Sequence, residues 1–466
     1  MTTPKTVHGA HPKRTIAALC SGTALSALNS GMIAVALATL RRDFELNIAT
    51  VTWIITVYYL ASAALQPIMG RLADRFGPRR LFVFGMVVVM LSGVLGSLAP
   101  SFWLLCTARV LLAVGTATAF PSAAAMLRGI AAASGRSAQK MIGRIQMVDT
   151  GTAAIGPVVG GVLITALGWQ SIFWINIPLA AVALISTLAL APADGARRKT
   201  RIGTTLIESD IPGILAFTIT IVALLMFLLG LPADPRWWLL PIMFAAGAAF
   251  TWRELRFAKP FIDLRMLARN SALMRVYVCF TVVNLVFYSV LFGLPQYLEE
   301  NGGYRADAVG ALLIPLAAFT VLLAPFIERL IDRRGIRFTL VAGGIGLAIA
   351  TAFSSVLALS TSVAVVLIVT AAIGIPSCIL IIALTQALYV AARPEEEGEA
   401  AGLFQTARCI GGITSTVVVG ISFSSGAIPT NWMLIAAVIT ALAIAYVVLS
   451  VVWRSRAASV VEAPVT

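Results

Sequence analysis

Charge is scarce in this chain. Asp, Glu, Lys and Arg make up 12% of its 466 residues, about half the roughly 25% of an ordinary soluble domain. That shortfall excludes a large soluble enzyme. Histidine is nearly absent: His8 and His11 both lie in the polar N-terminal stretch, so a membrane proton relay through imidazole is not expected. The five cysteines, Cys20, Cys106, Cys279, Cys378 and Cys409, fall in or beside apolar runs, and none forms a C-x-x-C pair. Neither a metal site nor a disulfide framework follows; they read as small packing residues. Walker A and H-E-x-x-H patterns are missing, as are paired acids on one helix face. An ATP-driven pump and a membrane enzyme therefore lack support, and no catalytic residue, metal or cofactor is assigned.

What the chain has is long apolar runs. It is 59% hydrophobic, with a mean hydropathy of +0.94. A spanning helix needs about 20 apolar residues, and about fourteen such runs occur, near 16–38, 51–70, 81–99, 102–125, 145–167, 172–191, 211–230, 237–252, 272–295, 306–327, 338–358, 363–390, 401–423 and 431–452. Their length predicts an all-α polytopic membrane protein rather than a barrel. The first run, about 15–40, is longer than a signal-peptide core and reads as a retained first span. The run at 237–252 is short and opens on Trp237-Trp238, which suit an interfacial belt. With the N-terminus in the cytoplasm, all but five of the 34 basic residues (Arg41, Arg42, Arg109, Arg236 and Arg305) fall on the inner side. Both termini are thus expected inside. The same bias accounts for the net charge of +14 through anionic lipid headgroups rather than nucleic acid. The segment 393–399, with four glutamates, reads as a solvated loop.

One charged loop occurs twice. Gly70-Arg71-Leu72-Ala73-Asp74-Arg75-Phe76-Gly77-Pro78-Arg79-Arg80 returns as Arg329-Leu330-Ile331-Asp332-Arg333-Arg334-Gly335-Ile336-Arg337. Aligning Arg71 with Arg329 also matches Leu72, Asp74, Arg75, Gly77 and Arg79 to their counterparts. A duplicated membrane unit is how many transporters build a midplane site. The expected organisation is one six-helix bundle over 1–196, linker segments with two added helices over 197–270, and a second six-helix bundle over 271–466.

The loop at Gly70 to Arg80 resembles motif A of the major facilitator superfamily, and the fourteen-helix layout resembles its drug:proton antiporter branch. Gly151-Thr152-Ala153-Ala154-Ile155-Gly156-Pro157-Val158-Val159-Gly160-Gly161 is similar to that branch's motif C, and Leu167 to Pro178 to the loop that follows it. The resemblance implies a cytoplasmic gate built on Gly70, Asp74, Arg75, Gly77, Arg79, Asp332 and Arg333. Asp74 would accept from a helix N-terminus of the opposite half, where the dipole is positive, and Asp332 would do the matching job, with Arg144 one possible partner. Gly151, Gly156, Pro157, Gly160 and Gly161 would flatten and kink the fifth helix so that a neighbour's backbone can approach.

Charge inside a bilayer is expensive and defaults to function. Arg109 resembles the arginine of the family's motif B, although Leu112 and Ala113 replace its usual glutamine and first glycine. Asp149, read as one turn inside the cytoplasmic end of the fifth helix, is the clearest intramembrane carboxylate. These two are the proton-coupling candidates, with an interfacial Asp149 bonded to Arg144 or to loop amides as the structural alternative. On the first helix Asn29 stands where the family usually carries an aspartate, so proton coupling by the usual route is in question, and neutral or anionic substrates gain ground. Asn29, Tyr58, Tyr59, Gln66, Asn284, Tyr288, Gln386, Tyr389 and Gln405 are the expected cavity residues. The expected function is export of small amphipathic molecules by alternating access, driven by protons. The alternative is a dedicated transporter or facilitator without proton coupling. The expected partners are the lipid bilayer, the substrate and protons, and the chain is expected to act as a monomer in the plasma or inner membrane.

Overall fold

The computed structural model describes residues 12–134, 138–194, 210–230, 236–257, 264–392 and 397–451. Its helices are α1 (Pro12–Asp43), α2 (Trp53–Phe76), α3 (Pro78–Ser97), α4 (Phe102–Ser134), α5 (Ala138–Leu167), α6 (Asn176–Leu190), α7 (Ile211–Gly230), α8 (Leu239–Arg256), α9 (Ser271–Glu300), α10 (Ile314–Phe353), α11 (Val363–Ala391), α12 (Glu397–Ser422) and α13 (Pro429–Val451). Short helical turns fill several connections, among them Ala306–Leu312 before α10. Helix α10 breaks at Gly335, where φ is +80°, so fourteen helical runs answer the fourteen apolar runs of the sequence. Among the described residues, eight helices are long and apolar enough to cross a membrane. Lipid is the solvent of the outer surface: Leu91, Trp103, Ile185, Phe244, Leu322, Ile349 and Val448 all face outward. In water such a surface would drive aggregation.

Successive runs reverse direction, so the turns at Gly77 and Gly335 share one end of the molecule, the turn end. The two turns are the same backbone device. Gly77 has a φ of +102° and Gly335 of +80°, a region that favours glycine because it has no Cβ. Two residues later an arginine reaches a carbonyl near the end of a later helix. Arg79 Nη2 donates to Leu188 O on α6, and Arg337 Nη2 donates to Val451 O on α13 at 3.0 Å. A cation there also meets the negative end of the helix dipole. The repeated sequence thus gives a repeated fastening, with each loop tied to the fourth helical run after its turn.

Helix α1 packs on α5 and on α6, with α3 and α4 beside them; α9, α12 and α13 form a contacting group, and α10 lies along α11. The pair α7 and α8 pack on each other, and α7 leans on α2 and α12. Small residues set these distances. A Cβ on Gly156 would lie 2.7 Å from Leu28 O and 2.8 Å from Gly31 Cα, and one on Gly160 would lie 2.7 Å from Met32 Cα. The α1 and α5 backbones therefore touch, as close packing in lipid requires. The glycine patch of α5 has a second face. A Cβ on Gly161 would meet Ala306 O at 2.5 Å, and one on Gly310 would meet Pro157 O. Motif C thus serves two neighbours, α1 and the 306–312 turn, where one flattened face was expected.

Backbone contacts of this kind cannot relax by a side-chain rotation. Gly156→Ala should destabilise the protein by about 1–3 kcal/mol, read as a lowered midpoint of thermal unfolding in detergent. Gly129, on α4 with nothing within 4 Å of a built Cβ, is the control. Its replacement by Ala should be neutral or raise the midpoint slightly, because helical Gly is itself unfavourable by about 0.5–1 kcal/mol.

Candidate functional site

The strongest polar contact inside the helices joins α5 to α12. Arg408 Nη1 donates to Asp149 Oδ2 at 2.7 Å, and the two side chains are only 11% and 4% exposed. Each residue lies eleven positions after the first residue of its helix. At 1.5 Å per residue that is about 16 Å from the start of each helix. Two sequence expectations are corrected here. Helix α5 begins at Ala138, well before the apolar run, so Asp149 sits three turns inside rather than one, and its partner is Arg408 while Arg144 is exposed. Arg408 had been counted with the inner-side basic residues; it lies inside α12. Its signal was in the sequence, an arginine within the apolar run 401–423.

Around this pair runs a ladder of aromatic rings. Tyr58 and Tyr59 on α2 stand 5.3 Å apart, Tyr59 stands 5.3 Å from Tyr288 on α9, and Tyr288 stacks on Phe292 at 5.3 Å. Tyr59 also lies against α12, with its ring 3.2 Å from a Cβ built on Gly412. Its hydroxyl donates to Ser30 Oγ at 2.9 Å. Next to it, Thr56 and Thr416 share a hydroxyl contact of 3.2 Å between α2 and α12. At the head of the ladder, the Arg109 guanidinium lies 4.5 Å over the Tyr58 ring. Its Nε donates to Ile54 O at 3.3 Å, while Nη2 has no partner among the described residues.

Other expected cavity residues are placed differently. Asn29 and Asn176 exchange amide bonds across α1 and α6, at 2.6 and 3.1 Å. Asn29 also donates to Leu25 O at 2.8 Å, so both its N–H groups are spent on helix contacts. Asn284 donates to Phe280 O of its own helix at 2.8 Å. Gln66 and Gln405 are buried, and each leaves an amide oxygen without a partner among the described residues. Gln386 and Tyr389 are half-buried on α11.

The motif A region carries a partner the sequence did not single out. The Asp194 carboxylate accepts from the backbone N–H of Arg79 at 3.1 Å and of Arg80 at 3.0 Å. It caps the first turn of α3 from beyond the end of α6, where the helix dipole is positive. Gly70 and Arg75 are half-buried on α2, and the Asp74 side chain lies outside the described residues, so its latch is not described. Asp332 and Arg333 are exposed, as is Arg144, and no ion pair joins Asp332 to Arg144 among the described residues. Gly151 is buried on α5. At the far end, opposite the turns, Arg41 pairs with Glu300 and Arg42 lies 3.9 Å from Glu299, joining the ends of α1 and α9. Glu300 also accepts from Ala427 N at 3.1 Å.

Residues 19–416 match the Major Facilitator Superfamily. The chain belongs to that family. It is a multi-pass membrane transporter and not an enzyme. It is 32% identical over 408 residues to "Uncharacterized MFS-type transporter YwoD" of Bacillus subtilis, covering 88% of this chain and 89% of the relative. It is 28% identical over 441 residues to the tetracenomycin C resistance and export protein of Streptomyces glaucescens, covering 92% and 80%. Against the multidrug resistance protein Stp of Mycobacterium tuberculosis the figures are 26% over 398 residues, 84% and 72%.

The buried pair between α5 and α12 should behave as a unit. Removing one partner leaves a buried charge alone, so Asp149→Asn or Arg408→Gln should each cost about 3–5 kcal/mol. The double variant should recover most of that loss. A double-mutant cycle on unfolding midpoints measures the coupling, and additive single effects would show that the two side chains act independently.

Proposed function

We propose that this protein exports small amphipathic molecules by rocker-switch alternating access, coupled to proton entry. The residues of 1–196 and 271–466 act as two bundles, and the two helices within 197–270 lie between them. The turn end faces the cytoplasm with both termini, and the protein works as a monomer in the plasma or inner membrane. The observation that carries this reading is the buried Asp149–Arg408 pair, which joins α5 to α12. A proton arriving on Asp149 removes the charge that holds Arg408, and with it the strongest polar tie between the bundles. The aromatic ladder from Tyr58 to Phe292 suits the apolar body of a small molecule. Resistance and export in the names of two relatives support a drug-like substrate. The seam just described runs from the middle to the far end, through Thr56–Thr416, Gly161–Ala306 and Arg41–Glu300, as expected when the outward mouth is shut.

A second reading, a dedicated transporter or facilitator of the same fold without proton coupling, is favoured by Asn29. Its amide cannot titrate, and its donors are occupied by Leu25 and Asn176.

Everted vesicles carrying the protein separate the two. A panel of amphipathic dyes and antibiotics should include at least one compound that accumulates about tenfold more with an imposed pH gradient than without. Asp149→Asn should abolish that difference while leaving downhill movement measurable. Uptake that ignores the gradient would leave the facilitator reading in place. Independently, Asp74→Asn should slow turnover more than it weakens binding; equal losses in both would remove Asp74 from the gate.

A further inference from the structure

A buried centre with surplus charge of one sign selects a ligand of the other. Three charged side chains reach the middle of the helix assembly among the described residues: Arg109, Asp149 and Arg408. Asp149 and Arg408 neutralise each other at 2.7 Å. Arg109 has no carboxylate partner among the described residues. It is 1% exposed, so water does not compensate it. A carbonyl, Ile54 O, and the face of Tyr58 are what it has, and its Nη2 is unbonded. A guanidinium is charged at any accessible pH, so neutralisation by proton loss is closed to it. Among the described residues the centre therefore carries one positive charge more than negative.

The arginine is not isolated from the rest of the site. Its ring partner Tyr58 is the first rung of the ladder that continues through Tyr59 to Tyr288, and Tyr59 lies within electrostatic reach of both Arg109 and Arg408. Gln405, one turn before Arg408 on α12, keeps an amide oxygen unbonded. A polar group with donors to spare thus stands at one end of a run of apolar faces. Among the described residues the one carboxylate in the centre is already taken by Arg408, which leaves a cation no free counter-charge. The amide pair Asn29–Asn176 is uncharged and self-satisfied.

Resting on the export reading above, we infer that the transported molecule is a large amphipathic anion whose charge is met by Arg109 and whose apolar body lies along Tyr58, Tyr59 and Tyr288. Arg109 is then a specificity-determining residue. An anion enters a centre of matching charge and leaves it electrically balanced, whereas a cation would double the surplus. Export of an anion from a cell with a negative interior also runs with the membrane potential.

Two ions of nearly the same size and shape but opposite sign test the charge alone: tetraphenylborate and tetraphenylphosphonium. Each is added to the purified full-length protein in a non-ionic detergent, and the thermal unfolding midpoint is followed. Tetraphenylborate should raise the midpoint by about 3 °C or more through preferential binding to the folded state, and tetraphenylphosphonium should not. The borate shift should vanish in Arg109→Gln and persist in Arg109→Lys. Equal or greater stabilisation by the phosphonium ion overturns the inference, as does a shift by neither ion or a borate shift that survives Arg109→Gln. The comparison of the two ions on the unaltered protein decides the matter even where a variant fails to fold. Vesicle uptake reports separately: gradient-driven transport together with phosphonium stabilisation would sink the anion assignment and leave export standing, whereas borate stabilisation without any transport would sink export.

Discussion

An ion pair buried among membrane-spanning helices has nowhere to go. Water would dissolve Asp149 and Arg408 separately, but lipid and packed side chains leave each with the other as its best solvent. That constraint fixes the register of α5 against α12, two helices that are far apart in the chain. Everything around the pair is arranged so that it can exist. Tyr59 fits beside Gly412 because no side chain stands there. Close backbone packing of α5 on α1 and on the 306–312 turn holds the helix that carries Asp149.

Such a contact is strong when made and unstable when half-made, which is the property a two-state transporter needs. A soft, graded interface would let both mouths open together. A pair that is either complete or broken, flanked by apolar faces, gives discrete arrangements. The far end repeats this logic with Arg41, Arg42, Glu299 and Glu300, where nearby water lowers the cost of parting. Polar ties at two depths therefore differ in strength in the order in which access would have to change.

The fold was largely legible in the sequence, and the centre only in part. Fourteen apolar runs became fourteen helical runs because backbone groups in lipid must bond within their own segment, which makes span prediction a local problem. The duplicated loop was legible for a similar reason: Gly77 and Gly335 both need a positive φ, and only residue type decides who can supply it. Contacts between distant segments were another matter. Asp149 was visible as a carboxylate out of place, yet its partner was not, because Arg408 was grouped with the inner-side charges rather than with its apolar flanks. Asp194 was not singled out in the sequence; its capping role exists only because the end of α6 comes to the start of α3. Asn29 was read as a cavity residue, but an amide facing another amide is satisfied first by its neighbour.

The remaining imbalance in the centre follows from geometry as much as from composition. Arg109 sits on α4 and Arg408 on α12, on opposite sides of the tyrosine ladder, while the single carboxylate stands on α5 beside only one of them. If residues 1–196 move as one bundle, as proposed, moving the bundles apart would not bring Asp149 to Arg109, because α4 and α5 both lie within it. The surplus charge on α4 is thus retained in any arrangement that leaves each half intact. Under the anion proposal the counter-charge of Arg109 comes from outside the protein, and a passing substrate is the component of the cycle that comes and goes along that path.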